Sequence, residues 1–237
     1  MTTTDIIVIL YGDRKDYDEL VKSIRANCTG YNLITIDNND PNPNLGFTKA
    51  VNKGIKSGTA PWVWLLNQDA IVLPGAQEAL IYRFRHDSKI GIVGSMQVDP
   101  DDRDIIRHGG TRAAFPAGIH KGGRISMGHC RLPEKQTWVN FASVMLSRDI
   151  LSKVGLLDEN MFLLYSDSDY CYTCRQKGFD VWYEPGSKVV HKLNTSKNIT
   201  EWHKKDMEAF MKKWDIHFVS QTEYVCGPEF NRLSRFP

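Results

Sequence analysis

Apolar runs alternate with amphipathic segments from the start of the chain to residue 94. The apolar runs are rich in Val, Ile and Leu and predict buried strands at residues 5–10, 32–36, 62–69 and 90–93. Between them, apolar residues recur at helical spacing within residues 17–24, 47–55 and 76–84. Because strands that alternate with helices usually pair in parallel through right-handed crossovers, the pattern predicts an α/β fold with a mostly parallel sheet flanked by helices.

The pattern changes after residue 94. Residues 95–135 are polar and rich in glycine, which predicts a loop over a functional site. Further along, the apolar pattern predicts strands at 138–146, 180–183 and 188–190 and helices at 166–178 and 207–214. The chain shows no internal repeat and no low-complexity tract.

Composition narrows the class of protein. With 237 residues, 41% hydrophobic and 24% charged, the chain can bury a substantial core. A net charge of +2 gives no argument for a nucleic-acid partner. No apolar run approaches the roughly 18 residues that would span a bilayer, and the first residues lack the features of a signal peptide. These observations predict a cytoplasmic protein.

The cysteines predict free thiols. They are five in number and scattered, which does not suit a disulfide framework in a chain without a signal peptide. Cys171 and Cys174 form a C-x-x-C pair, but they lie in a helical pattern and no second pair completes a zinc site. We therefore expect both thiols to be buried in a helix.

One predicted strand delivers a carboxylate. The apolar run that begins at Trp62 leads directly into Asn67, Gln68 and Asp69. Ligands of open α/β sheets bind at the carboxyl ends of the strands, so Asp69 is a candidate for a metal or phosphate site. The chain lacks both the G-x-G-x-x-G and the P-loop signature, so any phosphate would be bound in another way.

Four motifs occur in order along the chain. They are Asp37-Asn38-Asn39, the N-x-G-x-x-x-A-x-N-x-G pattern of residues 44–54, Asn67-Gln68-Asp69, and the acidic segment 160–178. Together they resemble glycosyltransferase family 2 of the GT-A fold, especially its rhamnosyltransferase-like members, over about residues 5–191. The resemblance implies a Rossmann-like sheet with a small acceptor-side subregion.

The resemblance implies a donor site for a nucleoside diphosphate sugar. Asp37 would contact the base or ribose, Gly46 would let the backbone approach the ligand, and the side chains of Asn44 and Asn52 would bond the nucleotide and sugar. The full set of nucleotide-sugar-binding residues is Tyr11, Asp37, Asn44, Gly46, Asn52, Asn67, Gln68 and Asp69.

It also implies a divalent metal, Mn²⁺ or Mg²⁺. Asp69 would bind the ion with two diphosphate oxygens, since such cations take oxygen ligands and keep several waters. The segment that ends at His191 resembles the family's V-x-H ending, so a neutral imidazole at His191 is a second candidate ligand. The chain has Asn67 where many members have a first Asp.

By the same resemblance, Asp167 is the general base. Ser166 replaces the family's usual Glu, so one acidic partner of the base is missing. Asp169 would support the base on the acceptor side or anchor the start of its helix. Trp138 and Asn140 would lie near the acceptor.

The expected reaction is inverting, metal-assisted transfer of a sugar to a hydroxyl on a glycan or glycolipid. Residues 1–94 would form the nucleotide-sugar half of a single domain, 95–193 the acceptor half, and 194–237 a C-terminal helix and tail. The family suggests deoxythymidine-diphosphate rhamnose or a uridine-diphosphate hexose as donor. Lysines on the last helix would allow at most peripheral contact with the inner face of a membrane. Two alternatives stay open: an inactive fold-mate that binds a nucleotide sugar or glycan, and a nucleotidyltransferase.

Overall fold

The computed structural model describes residues 3–39, 41–111, 120–193, 199–219 and 224–234. Its strands are β1 (Thr4–Leu10), β2 (Tyr31–Asp37), β3 (Trp62–Asn67), β4 (Ala70–Val72), β5 (Ile90–Val98), β6 (Ile105–His108), β7 (Gly123–Arg124), β8 (Glu134–Gln136), β9 (Ser143–Ser147), β10 (Asp180–His191), β11 (Ile216–Phe218) and β12 (Tyr224–Cys226). Its α-helices are α1 (Arg14–Asn27), α2 (Gly46–Ser57), α3 (Ala76–Phe84), α4 (Arg148–Val154), α5 (Ser166–Gln176), α6 (Ile199–Lys213) and α7 (Pro228–Ser234). None of the helices in these ranges is long and apolar enough to cross a membrane.

The main sheet has the strand order β2-β1-β3-β9-β5-β10-β4. Strands β1, β2 and β3 are parallel, β5 and β10 are parallel, and β9 and β4 run against their neighbours. Two of the seven strands on this path are therefore reversed. Strands β6, β7 and β8 extend the sheet beside β5 and β10. The predicted α/β fold with a mostly parallel sheet is confirmed.

Alternating residues of β1 supply both faces of the sheet. Ile7 packs on one side with Val51 and Ile55 of α2, while Ile6 and Val8 pack on the other side. That second side is covered by α1 and α3, whose buried residues include Leu20, Ile24 and Leu80. Because helices cover both faces, the carboxyl ends of the strands are left as the place where side chains can meet a ligand.

The predicted strand at 138–146 was wrong over its first five residues. Strand β9 begins only at Ser143, and residues 138–142 form an irregular connection. The apolar side chains of this connection, Trp138 and Phe141, are buried, which produced the strand-like pattern. Strand β10 is continuous where two short strands were predicted, with a register shift between Glu184 and Lys188.

The cysteine prediction is confirmed. Cys171 and Cys174 are free thiols buried in α5. Burial raises the pKa of both thiols, so neither has the character of a reactive thiolate.

A buried ion pair ties the amino end of β1 to the start of α4. Asp5, whose side chain is 2% exposed, accepts a 2.8 Å bond from the guanidinium of Arg148 and one from the amide of Ala60. Arg148 also donates to the carbonyls of Ala60 and Ile55. The pair therefore joins β1, the end of α2 and the end of β9 at the edge of the sheet opposite the candidate site.

Replacing this arginine should destabilise the fold. We expect Arg148→Met to lower the free energy of unfolding by about 3–5 kcal/mol in urea titrations, because Asp5 is left as an uncompensated buried charge. Lys153→Met is the matched control, since Lys153 pairs with Asp149 at the surface and should contribute at most about 1 kcal/mol. Equal losses in the two variants would contradict the assignment.

Candidate active site

Three parallel strands end side by side at the candidate site. Leu10 pairs with Asp37 and Ile9 with Asn67, so the residues that follow β1, β2 and β3 are neighbours. Tyr11 is 44% exposed there. Asp37 is also exposed, and one of its oxygens accepts the amide of Asn39. An aromatic ring and a carboxylate therefore stand together at the edge of the sheet.

Gln68 bonds to the backbone at the end of β1. Its amide pairs with the backbone of Tyr11, accepting from the N–H at 2.8 Å and donating to the carbonyl at 2.5 Å. The backbone N–H of Gly12 donates to Asn39. Gln68 thus holds the segment after β1 in place, and its contact with a nucleotide sugar stays a prediction.

Asp69 and His191 are brought together by strand pairing. Ala70 of β4 pairs with His191 at the end of β10, which puts the two side chains side by side. The distance from His191 Nε2 to Asp69 Oδ1 is 3.4 Å, and both side chains are buried. Asn67 Nδ2 lies 3.5 Å from the same nitrogen.

A carboxylate oxygen and an imidazole nitrogen form a donor set that suits Mn²⁺. Within the described ranges, no group of three His, Cys, Asp or Glu side chains could hold a metal ion by itself. Two protein ligands at one edge, with the other positions left to diphosphate and water, is a common arrangement for cations that bind with a phosphorylated substrate. The residues present therefore fit such an ion.

Asp167 is the second residue of α5. Burial raises the pKa of its carboxyl group from 3.8 to about 6, although backbone N–H groups, including those of Ser168 and Phe141, oppose the shift. The residue at the start of this helix, Tyr165, has a left-handed backbone with φ 63°. A carboxylate with this pKa is ionised at neutral pH and still basic enough to take a proton.

The connection 140–142 lies between the two acidic positions. The carbonyl of Ala142 accepts from the amide of Asn67 at 2.9 Å, and the backbone N–H of Phe141 is near enough to Asp167 to oppose the rise in its pKa. The end of β3, which leads to Asp69, and the start of α5 therefore contact the same short segment. That the predicted metal position and the predicted base belong to one site stays a prediction.

A carboxylate on α6 supports the start of α5. Asp206, which is 1% exposed, accepts hydrogen bonds of 2.8 Å from the amides of Phe162, Leu163 and Leu164. Sequence reasoning missed this residue. The sequence feature that could have identified it is an Asp on the apolar face of an amphipathic helix, where a charged residue is unusual.

The close approach at Gly46 is to the protein itself. Its φ is +71°, and a Cβ atom there would lie 2.6 Å from the carbonyl oxygen of Phe162. Asn44 accepts the amide of Gly46, forming a turn before α2. The close approach that the structure shows at Gly46 is to the backbone of Phe162, and a ligand contact there stays a prediction.

Two further predicted contacts stay predictions, although the polar atoms of both side chains already bond within the protein. Asn52 is 1% exposed and bonds both the N–H and the carbonyl of Leu157 as well as Glu159, so it joins α2 to a distant segment. Asp169 is 1% exposed and accepts from the indole of Trp214 and the ammonium of Lys213, so it anchors the end of α6. Both side chains use their polar atoms inside the fold.

The acceptor-side residues lie around a histidine pair. His108 Nδ1 is 2.6 Å from His120 Nδ1, and the Trp138 ring lies close to both imidazoles. The pKa of His108 is lowered mainly by burial, and also by charge repulsion from the neighbouring His120. Asn140 bonds to its surroundings through both its backbone and its side chain. Acceptor contacts at Trp138 and Asn140 stay predictions, and the His108–His120 pair was not predicted.

Residues 1–213 match the family model described as glycosyltransferase like family 2. The chain belongs to this family. Among curated relatives of this family 2 member, the uncharacterized protein y4gI of Sinorhizobium fredii (strain NBRC 101917 / NGR234) is 23% identical over 76% of the chain and 21% of its own length. The dTDP-rhamnosyl transferase RfbF of Shigella flexneri is 31% identical over 26% of the chain and 21% of its own length.

Poly-beta-1,6-N-acetyl-D-glucosamine synthase of Staphylococcus aureus (strain COL) is 34% identical over 38% of the chain and 20% of its own length. The matches therefore span about a fifth of the length of these curated relatives. A solved structure, GalNAc-T7 with UDP, GalNAc and Mn²⁺, superposes with a TM-score of 0.69 at 13% identity, covering 90% of this chain and 48% of that one. The likeness confirms the GT-A fold.

We expect Asp206→Asn to weaken the hydrogen bonding of residues 162–164, which lead into α5 in this family 2 member. Asparagine offers one acceptor oxygen in place of two, and its NH₂ group would face backbone donors, so at least one buried N–H loses its partner at a cost of about 1–3 kcal/mol. Hydrogen exchange should accelerate at the amides of Phe162, Leu163 and Leu164. Glu208→Gln, an exposed change on the same helix, is the control and should leave their exchange unchanged. Unaltered exchange in Asp206→Asn would rule out the supporting role.

Proposed function

We propose that this protein is a glycosyltransferase that moves a sugar from a nucleoside diphosphate sugar to an acceptor hydroxyl, with inversion at the anomeric carbon. The observation that carries the proposal is the pair of acidic positions at one site. Burial raises the pKa of Asp167 to about 6, which suits a general base. Asn67, two residues before Asp69, bonds to the connection 140–142, and Asp69 lies 3.4 Å from His191. Membership of glycosyltransferase like family 2 supports the same activity.

The nucleotide would lie across the ends of β1 and β2. The Asp37 carboxylate can accept from a base imide N–H or from ribose hydroxyls. The exposed ring of Tyr11 offers a surface for the base beside it. Asn44 and Asn67 would complete the polar contacts to the donor.

Asp69 and His191 would hold the divalent ion, Mn²⁺ or Mg²⁺. Such an ion neutralises the charge that develops on a leaving diphosphate. The presence of UDP and Mn²⁺ in the structure of GalNAc-T7 supports this choice.

Asp167 would remove the proton from the acceptor hydroxyl as the oxygen attacks the anomeric carbon. The oxygen approaches from the face opposite the leaving diphosphate, which inverts the configuration. No covalent intermediate is needed, so most of the rate enhancement would come from positioning and electrostatics.

The acceptor would be a glycan or glycolipid held near Trp138 and Asn140. The donor sugar would be carried by deoxythymidine diphosphate or uridine diphosphate, as the names of RfbF and the GalNAc-T7 structure suggest. We place the reaction in the cytoplasm, with at most peripheral contact with a membrane. An inactive nucleotide-sugar or glycan-binding protein is the second candidate, favoured by Ser166 in place of an acidic residue.

Asp167→Asn should abolish transfer and leave donor binding intact. An amide cannot accept the hydroxyl proton, so we expect kcat to fall by about 10²–10⁴-fold. In the wild-type protein, kcat/KM should fall as pH drops below about 6, where Asp167 becomes protonated. An inactive fold-mate would show neither transfer by the wild type nor this pH dependence.

The same substitution should not weaken the fold at neutral pH. The folded-state pKa of Asp167 is raised, so the folded protein binds more protons than the unfolded chain between about pH 4 and 6, and the wild type loses stability as pH rises through that window. We expect the Tm of Asp167→Asn to equal or exceed that of the wild type at pH 7.5, and this advantage to shrink towards pH 4. A Tm well below the wild type at neutral pH would instead make Asp167 a structural residue.

Asp69→Asn tests the donor site. A ligand present at 100 times its Kd stabilises a protein by about 2.7 kcal/mol, which a thermal-shift screen detects. We expect one nucleotide sugar to raise the Tm of the wild type only with Mn²⁺ or Mg²⁺, and this shift to be lost in Asp69→Asn. Glu208→Gln should keep the shift. If no nucleotide sugar shifts the wild type with either ion, the proposed function fails.

A further inference from the structure

A buried amide lies behind His191. Gln97 on β5 is 2% exposed, and its Oε1 is 2.9 Å from His191 Nδ1. On the other side, its Nε2 is 3.0 Å from Asn140 Oδ1. Asn140 Oδ1 in turn accepts the backbone N–H of Ala142 at 2.8 Å. A continuous line of hydrogen bonds therefore runs from the backbone at Ala142 to the imidazole.

Only one assignment of donors and acceptors is consistent with these hydrogen bonds. The backbone N–H of Ala142 can only donate, so the Asn140 atom that it contacts must be the oxygen. An oxygen cannot donate, so Gln97 must present its NH₂ group to Asn140 and its carbonyl to His191. The nitrogen of His191 that faces this carbonyl must then carry a proton.

We propose that Gln97 and Asn140 are positioning residues that hold the proton of neutral His191 on Nδ1 and leave the lone pair of Nε2 directed at Asp69. The distances agree with this assignment. The Nδ1 contact of 2.9 Å is that of a normal hydrogen bond, whereas the Nε2 contacts of 3.4 Å to Asp69 and 3.5 Å to Asn67 are long for one.

The tautomer decides what His191 can bind. An imidazole coordinates a cation through its unprotonated nitrogen, and a hydrogen bond at the other nitrogen fixes the ring and raises its basicity. Gln97 therefore prepares Nε2 to act with the Asp69 oxygen on the same ion. The part of this inference that concerns the metal rests on the proposed function, and the part that concerns the tautomer does not.

Imidazole ¹⁵N spectra of the protein without metal or nucleotide test the tautomer directly. We expect the neutral form of His191 in the wild type to carry its proton on Nδ1 only, because that nitrogen faces the carbonyl of Gln97. Gln97→Met removes the acceptor and should move the proton towards Nε2. An Nε2–H tautomer of His191 in the wild type would overturn the proposal, whether or not any variant folds.

Two further variants serve as controls. Gln77→Met removes a buried amide of the same size on α3, where Gln77 bonds Thr4 and Thr29, and should leave the His191 signals unchanged. Asn140→Asp keeps an oxygen for both Ala142 and Gln97 and should retain the Nδ1–H form. A tautomer change in Gln77→Met would show that general loosening, and not the loss of Gln97, is responsible.

Mn²⁺ titration in the presence of UDP measures how the loss of Gln97 changes the affinity of the protein for the metal. Loss of the side chain that hydrogen-bonds a metal-binding histidine typically weakens metal binding by about 10–100-fold. We expect this loss of affinity for Gln97→Met and not for Gln77→Met. Wild-type affinity in Gln97→Met would overturn the positioning role. If the wild type has the Nδ1–H tautomer but binds no Mn²⁺ in the presence of UDP, the proposed metal site of the proposed function is contradicted. The tautomer assignment is then still supported.

Discussion

The backbone of residues 162–164 is held from two sides, and the geometry of the candidate site depends on it. The carbonyl of Phe162 accepts from the amides of Phe47 and Thr48 at the start of α2, while the three amides of this segment bond to Asp206 on α6. Asp167 follows only a few residues later. Because catalysis by positioning tolerates displacements of well under about 1 Å, these contacts would connect the proposed donor side to the proposed base.

Residues whose role depends on local pattern were predictable. The strands and helices up to residue 94 follow from hydrophobic periodicity. Asp69 and Asp167 were selected from motifs at element ends, and their roles stay predictions. Gln97 and Asp206 were not predictable in the same way, since their partners lie 94 and about 43 residues away in sequence. Such pairings are set by the topology of the sheet and the docking of the last helix, which no local pattern encodes.

Asn52 and Asp169 show how a motif residue can serve the fold. By resemblance Asn52 was expected to bond the nucleotide and sugar, and Asp169 to support the base or anchor the start of its helix; both remain predictions. A buried amide or carboxylate needs hydrogen-bond partners, and here the protein itself supplies them at Leu157 and at Trp214. A residue in a motif can therefore be needed for folding as strictly as for ligand binding, and the sequence alone does not distinguish the two roles.

Ser166 bears on whether the site can still supply a base. The family's usual acidic residue at this position would raise the pKa of its neighbour by charge repulsion. Here Ser166 is 3% exposed, and burial is the first cause of the raised pKa of Asp167. Desolvation thus performs the tuning that a second carboxylate would otherwise perform. A missing acidic partner at residue 166 is for this reason weak evidence for an inactive protein.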